Sequence, residues 1–232
     1  LTRMNARPYG DLTDRKADVD KAMAIDPKHP EALAAKARLQ RRAGDYVGAL
    51  ATLKTALQAK PADTDLLVEQ GLDHALLGKG DLADKDYAAA RGNHPTSVLL
   101  NNLCWAKATA NASLPSALED CRAAVAEQPK QANYIDSLGF VLLRLGRYDE
   151  SIAAYDRALA IQPKLAPSLY GRAAAEARKG DAAKAAADRA AAIRLAPKIA
   201  DTFQGYGVAM DEPAPAAPAA NPAKESASAA QH

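Results

Sequence analysis

Aromatic residues are scarce: phenylalanine, tyrosine and tryptophan make up 5% of the 232 residues, although hydrophobic residues of all kinds make up 48%. A core so rich in alanine and leucine suits helices packed closely on helices and not a sheet. Charge of one sign is also lacking, since the net charge is +2 with acids and bases interspersed. That leaves no basic stripe of the kind a phosphate backbone demands, so nucleic acid is not expected as a partner. No run of 18 apolar residues occurs, which excludes a membrane-spanning helix. The histidines His29, His74, His94 and His232 lie far apart without metal-ligand spacing, and there is no glycine-rich phosphate loop or nucleophile elbow. No catalytic constellation, metal site or cofactor site is therefore expected. His74 falls on an apolar helix face, where a satisfied core histidine is the expectation.

What is present is regularity. Pro27, Pro61, Pro95, Pro129, Pro163 and Pro197 follow one another at intervals of 34 residues. The clearest interval is Ile135 to Pro163. Ile135, Leu138, Gly139 and Leu142 recur there at helical spacing, then the chain breaks at Gly146-Arg147, and Ser151, Tyr155 and Ala158 follow at i, i+4 and i+7. Two helices fold back as a hairpin, and Pro163 closes the second because proline lacks an amide hydrogen and displaces the residue before it from helical geometry.

A 34-residue helix-turn-helix with small residues at fixed places and a closing proline resembles the tetratricopeptide repeat, over about residues 10 to 197. The resemblance implies an all-α, right-handed superhelical solenoid of stacked antiparallel hairpins. It divides the chain into a partial, degenerate first repeat (1–29), five full repeats (30–197), a capping helix (198–210) and an alanine- and proline-rich tail (211–232). Ile199, Phe203 and Tyr206 stand at i, i+4 and i+7, as a helix covering the last seam needs. The tail has too little large apolar surface to offset its ordering entropy and is expected to be disordered, with a docking or linker segment as the alternative. Leu1 to Arg7 reads as a remnant of a first helix stopped by Pro8, or as a frayed terminus.

Four units depart from the template. Arg15 stands where others carry alanine or serine. Gly92-Asn93 should shorten the second helix of the third unit. In the fourth, strict counting puts Trp105 in a small-residue column, whereas dropping one residue after Pro95 and adding one before Ala117 puts Leu100, Leu103 and Cys104 in the core. In that register Cys104 and Cys121 face each other across one hairpin, as a disulfide in an oxidising compartment or as two small buried hydrophobes. The compartment stays open, with the periplasm favoured over the cytoplasm. In the sixth unit Arg189 stands where large apolar residues stand elsewhere, which weakens its hairpin.

By resemblance, such arrays hold peptides or helices in a concave groove lined by the first helix of each hairpin. The matching positions are Ala34 and Arg38, then Val68 and Leu72, Asn101 and Trp105, Asp136, Phe140 and Arg144, and Tyr170 and Arg178. The groove is expected to be apolar in the middle and basic at its ends, with Trp105, Phe140 and Tyr170 surplus to internal packing and free for a partner. Arg38, Arg41 and Arg42 form a basic cluster, for an acidic partner or simply solvated. The lysine, asparagine and arginine clamp of chaperone-binding members is replaced by alanine, valine and leucine, so an Hsp70 or Hsp90 co-chaperone role is not expected. The resulting function is a non-catalytic interaction scaffold for a protein or peptide. The alternatives are a regulatory or positioning module of a larger bacterial enzyme whose catalytic domain lies before Leu1, and self-association through the incomplete first repeat.

Overall fold

A computed structural model of the chain describes residues 12–92 and 94–210. The expectations for Leu1 to Arg7 and for the 211–232 tail lie outside these residues, as does Asn93. The described residues form twelve helices: α1 (Leu12–Ile25), α2 (Pro30–Arg42), α3 (Tyr46–Ala59), α4 (Thr64–Leu76), α5 (Gly80–Arg91), α6 (Ser97–Thr109), α7 (Leu114–Glu127), α8 (Ala132–Arg144), α9 (Tyr148–Ile161), α10 (Ala166–Lys179), α11 (Ala182–Leu195) and α12 (Ile199–Gly205). From α2 to α11 they pair as five antiparallel hairpins.

Local chemistry sets the helix starts. Pro30, Pro115 and Pro167 occupy the first turns of α2, α7 and α10, where a missing amide hydrogen costs nothing. Asp63 caps α4 by accepting from the amides of Asp65 and Leu66, and Thr96 caps α6 by accepting from that of Leu99. The hairpin turns use glycine in the left-handed region at positions 44, 78, 146 and 180, but the turn between α6 and α7 uses Asn111 and Ser113, at φ 53° and 49°. The left-handed residue thus comes one place early and a further one is inserted, which is the physical form of the shifted register. Leu100, Leu103 and Cys104 are accordingly buried. Helix α5 has 12 residues against 14 in α3, α7, α9 and α11, ending at Arg91 with Gly92 as its cap.

First helices pack on one another from repeat to repeat, and second helices do so only marginally. The array therefore curves with α4, α6, α8 and α10 on its inner side. Between repeats the wedge is Tyr155 of α9, 1% exposed, which lies against Gly139 of α8 and Gly171 of α10. A Cβ at Gly139 would come within 2.8 Å of that ring, and one at Gly171 would collide with it. Gly171→Ala is expected to lose about 1–3 kcal/mol by overpacking, whereas Gly80→Ala, with nothing near the added methyl, should stay within about 0.5 kcal/mol of the parent. Urea titration of both variants measures the contrast.

The core is continuous from α6 to the end of the described chain, while α2–α4 and α4–α6 hold two smaller clusters. Within the hairpin of α6 and α7 Cys104 and Cys121 are fully buried, with Cα atoms 5.3 Å apart and their sulfurs joined. That separation is within the disulfide window. Arg189 is exposed, and α11 buries only Ala185 and Ala192, so the last hairpin is the thinnest of those in the continuous core.

Helix α12 does more than meet the last hairpin. It meets α10 and α11, but its aromatic side chains reach past them onto α8 and α6. Phe203 is buried there and Tyr206 half-buried.

Candidate functional site

The inner face is built from one position per turn of each first helix. In α4 Val68 is buried among Ala83, Tyr87, Leu99 and Leu103, and Leu72 packs half-buried against the same cluster. In α6 Asn101 and Trp105 are half-buried. The Trp105 ring lies 5.2 Å from that of Phe140 in the next repeat, so the aromatics of α6 and α8 form one floor. Tyr170 of α10 extends that floor by way of Phe203, at 4.7 Å.

These rings are not surplus to packing. Phe140 is 1% exposed and Tyr170 3%, covered by Phe203 and Tyr206 of the chain's own C-terminal segment. The reason is that the face which each first helix leaves free after filling its hairpin core is met by a third element. Arginines stand at the rim. Arg144 donates through Nε to the Ala108 carbonyl at 3.2 Å and through Nη1 to the Gly207 carbonyl at 3.0 Å, with its guanidinium 5.9 Å from the Phe140 ring centroid. Arg178 donates to the carbonyls of Ala174 and Ala209, at 3.3 and 3.2 Å.

Asp136 sits on this face but beneath its surface, accepting from the Ser168 hydroxyl at 2.5 Å. Burial pushes its carboxyl up to about 6, against the lowering effect of Ser168. A carboxyl raised in the folded state binds its proton more tightly there than when unfolded. Its contribution to stability is thus whole below the ordinary aspartate range and is lost as pH rises through about 6. Asp136→Asn removes that slope, and thermal melts at pH 8 should show the variant more stable by on the order of 2 kcal/mol.

The basic cluster at the N-terminal end is neutralised. Arg38 pairs with Glu69 at 2.7 Å, and Arg41 pairs with Glu69 at 2.6 Å and with the fully buried Asp73. Arg42 stays exposed. The signal that could have found this is the matched spacing of Arg38 and Arg41 on α2 with Glu69 and Asp73 on α4. A similar rung forms where Lys107 of α6 pairs with buried Asp120 of α7 at 2.6 Å and Arg91 of α5 joins it. His74 is satisfied by Asp86, at 2.6 Å. Among the described residues no group of three or more histidine, cysteine, aspartate or glutamate side chains is placed to hold a metal, and no helix is long and apolar enough to cross a membrane.

Stacked hairpins with a lined inner face define a helical repeat solenoid. Two family profiles, both described as tetratricopeptide repeat, match residues 10–69 and 132–165. A thermophilic tetratricopeptide repeat protein of Thermus thermophilus superposes with a TM-score of 0.62 at 22% identity, over 77% of this chain and 97% of its own. Human IFIT1, as a dimer with PPP-AAAA, gives a TM-score of 0.64 at 18% identity, over 82% of this chain and 48% of its own. Protein FlbA of Caulobacter vibrioides is 29% identical over 156 residues, and the chain spans 26% of the length of that relative. The chain is a tetratricopeptide repeat protein, with the fold of a protein–protein interaction scaffold.

Proposed function

We propose that this scaffold holds a peptide or helix of a partner protein on its inner face. The observation that carries the reading is the continuous aromatic floor of Trp105 and Phe140, extended towards Tyr170, with Arg144 and Arg178 at its rim already holding main-chain carbonyls. Rings supply apolar contact that tolerates many sequences, and arginines that bind main chain supply orientation without demanding a particular side chain. Leu72 and Asn101, both half-buried, continue the face towards the N-terminal repeats, whereas Val68 is taken up by the core of α4–α6. A rigid solenoid presents such a face at little ordering cost. Engagement of Arg38 and Arg41 by carboxylates favours a protein partner over a nucleic acid such as the PPP-AAAA held by human IFIT1.

The test is selection of a random dodecapeptide library on the full chain. Selected peptides should lose at least tenfold in affinity on Arg144→Ala and none on Val47→Ser, an exposed position of α3. Peptides indifferent to Arg144 would overturn the reading. Partial coverage of FlbA supports a second reading, that the array is one part of a longer protein. The coding sequence upstream of Leu1 decides it.

A further inference from the structure

The central groove carries a polypeptide segment of its own. After α11 the chain turns through three residues, and α12 lays Ile199 and Phe203 on the inner side, both buried. The Phe203 ring stands 4.7 Å from Tyr170 and 5.7 Å from Phe140, and that of Tyr206 stands 5.5 Å from Trp105 and 5.9 Å from Phe140. Gly207, at φ 70°, then reverses the chain. The amide of Val208 donates to the Phe203 carbonyl at 2.9 Å and that of Gly207 to the Gln204 carbonyl at 2.8 Å, the two bonds of a Schellman turn. The reversal presents the carbonyls of Gly207 and Ala209 to Arg144 and Arg178.

We propose that residues 199–210 are a resident ligand of the groove, and that its external partner is a protein segment of the same chemistry. Such a segment carries two aromatic side chains three residues apart on one helical turn, then a glycine reversal, then small residues whose carbonyls meet the two arginines. The proposal rests on the groove reading above and names its ligand class. Several features make the resident segment displaceable. Helix α12 has seven residues, too few to hold helical form by itself, so its order depends on the groove. Its outer side, at Asp201, Gln204 and Gly205, is exposed, so no described element covers it. A tethered segment competes at an effective concentration of about millimolar. An outside segment therefore prevails by adding contacts, and the inner face beyond Trp105, at Asn101 and the half-buried Leu72, is where they are available.

The probe is a fluorescein-labelled synthetic peptide of residues 197–210, titrated into the full chain and into the full-length Phe203→Ala/Tyr206→Ala variant, whose resident segment has lost its anchors. Anisotropy should show the peptide binding the variant at least tenfold more tightly than the parent, with that gain lost on adding Arg144→Ala. Equal binding to parent and variant, or no binding to a variant that circular dichroism shows folded, overturns the proposal. Hydrogen exchange on the unaltered chain covers the case of a variant that fails to fold. The amides of residues 206–208 should exchange at least tenfold faster than those of α8 beneath them, and equal rates overturn the proposal. A concentration-dependent dimer of the parent that exchanges this segment also overturns it, by making a second copy the occupant. If the probe fails while library peptides still depend on Arg144, the resident-ligand proposal falls and the groove reading stands. If both fail, both fall.

Discussion

Phe140→Ala is expected to lose about 3–5 kcal/mol of stability, the cost of emptying a large buried ring site. The ring is 1% exposed and meets Trp105, Phe203 and Tyr206 as well as the Arg144 guanidinium. Removing it opens a cavity bounded by three aromatics, one on α6 and two on the C-terminal segment, each of which loses a ring contact. Trp105→Ala should cost less, since that ring is half-buried and keeps one side towards solvent. The measurement is the urea midpoint of each variant at unchanged slope. A loss below about 1 kcal/mol for Phe140→Ala would return the ring to the role of an open partner contact.

Opening the Cys104–Cys121 link is expected to cost about 3 kcal/mol, because it closes a loop of 17 residues and so restricts the unfolded chain. Both sulfurs are fully buried, so a reductant added to the folded protein meets neither. The chain should be reduced in denaturant, refolded with reductant present, and melted beside the oxidised form. Equal melting midpoints for the two, or for oxidised protein and Cys104→Ala/Cys121→Ala, would show that the pair acts only as two small apolar side chains. A bond of this size matters in an oxidising compartment, which is the condition attached to it from composition.

The hairpins were legible because their cause is local and recurs: turn glycines and the glycine facing Tyr155 within its own hairpin lie inside one repeat, and the closing proline returns at the same place in each. The irregular fourth unit was legible for the same reason, since misplacing Trp105 forces an identifiable one-residue shift. What the sequence hid are relations between repeats. The i, i+4, i+7 pattern of Ile199, Phe203 and Tyr206 states that α12 has an apolar face, but the end seam and the groove are both apolar and the pattern cannot choose between them. Arg41 reads as a free cation until stacking sets it against Asp73. Asp136 shares a helix face with Phe140, and only the depth of α8 under its neighbours separates a buried carboxyl from a surface one.

The uneven division of the core gives the molecule a polarity under load. Pulled from its ends, a stack in which each hairpin leans only on its neighbours yields one unit at a time, beginning where the units share least. The clusters of α2–α4 and α4–α6 are small and separate, so that half should peel in short steps. From α6 onward the interior is shared and a segment is laid across three units, so the remainder should resist and then give way as one. Tension would thus lengthen the N-terminal half while the floor of the groove is still assembled.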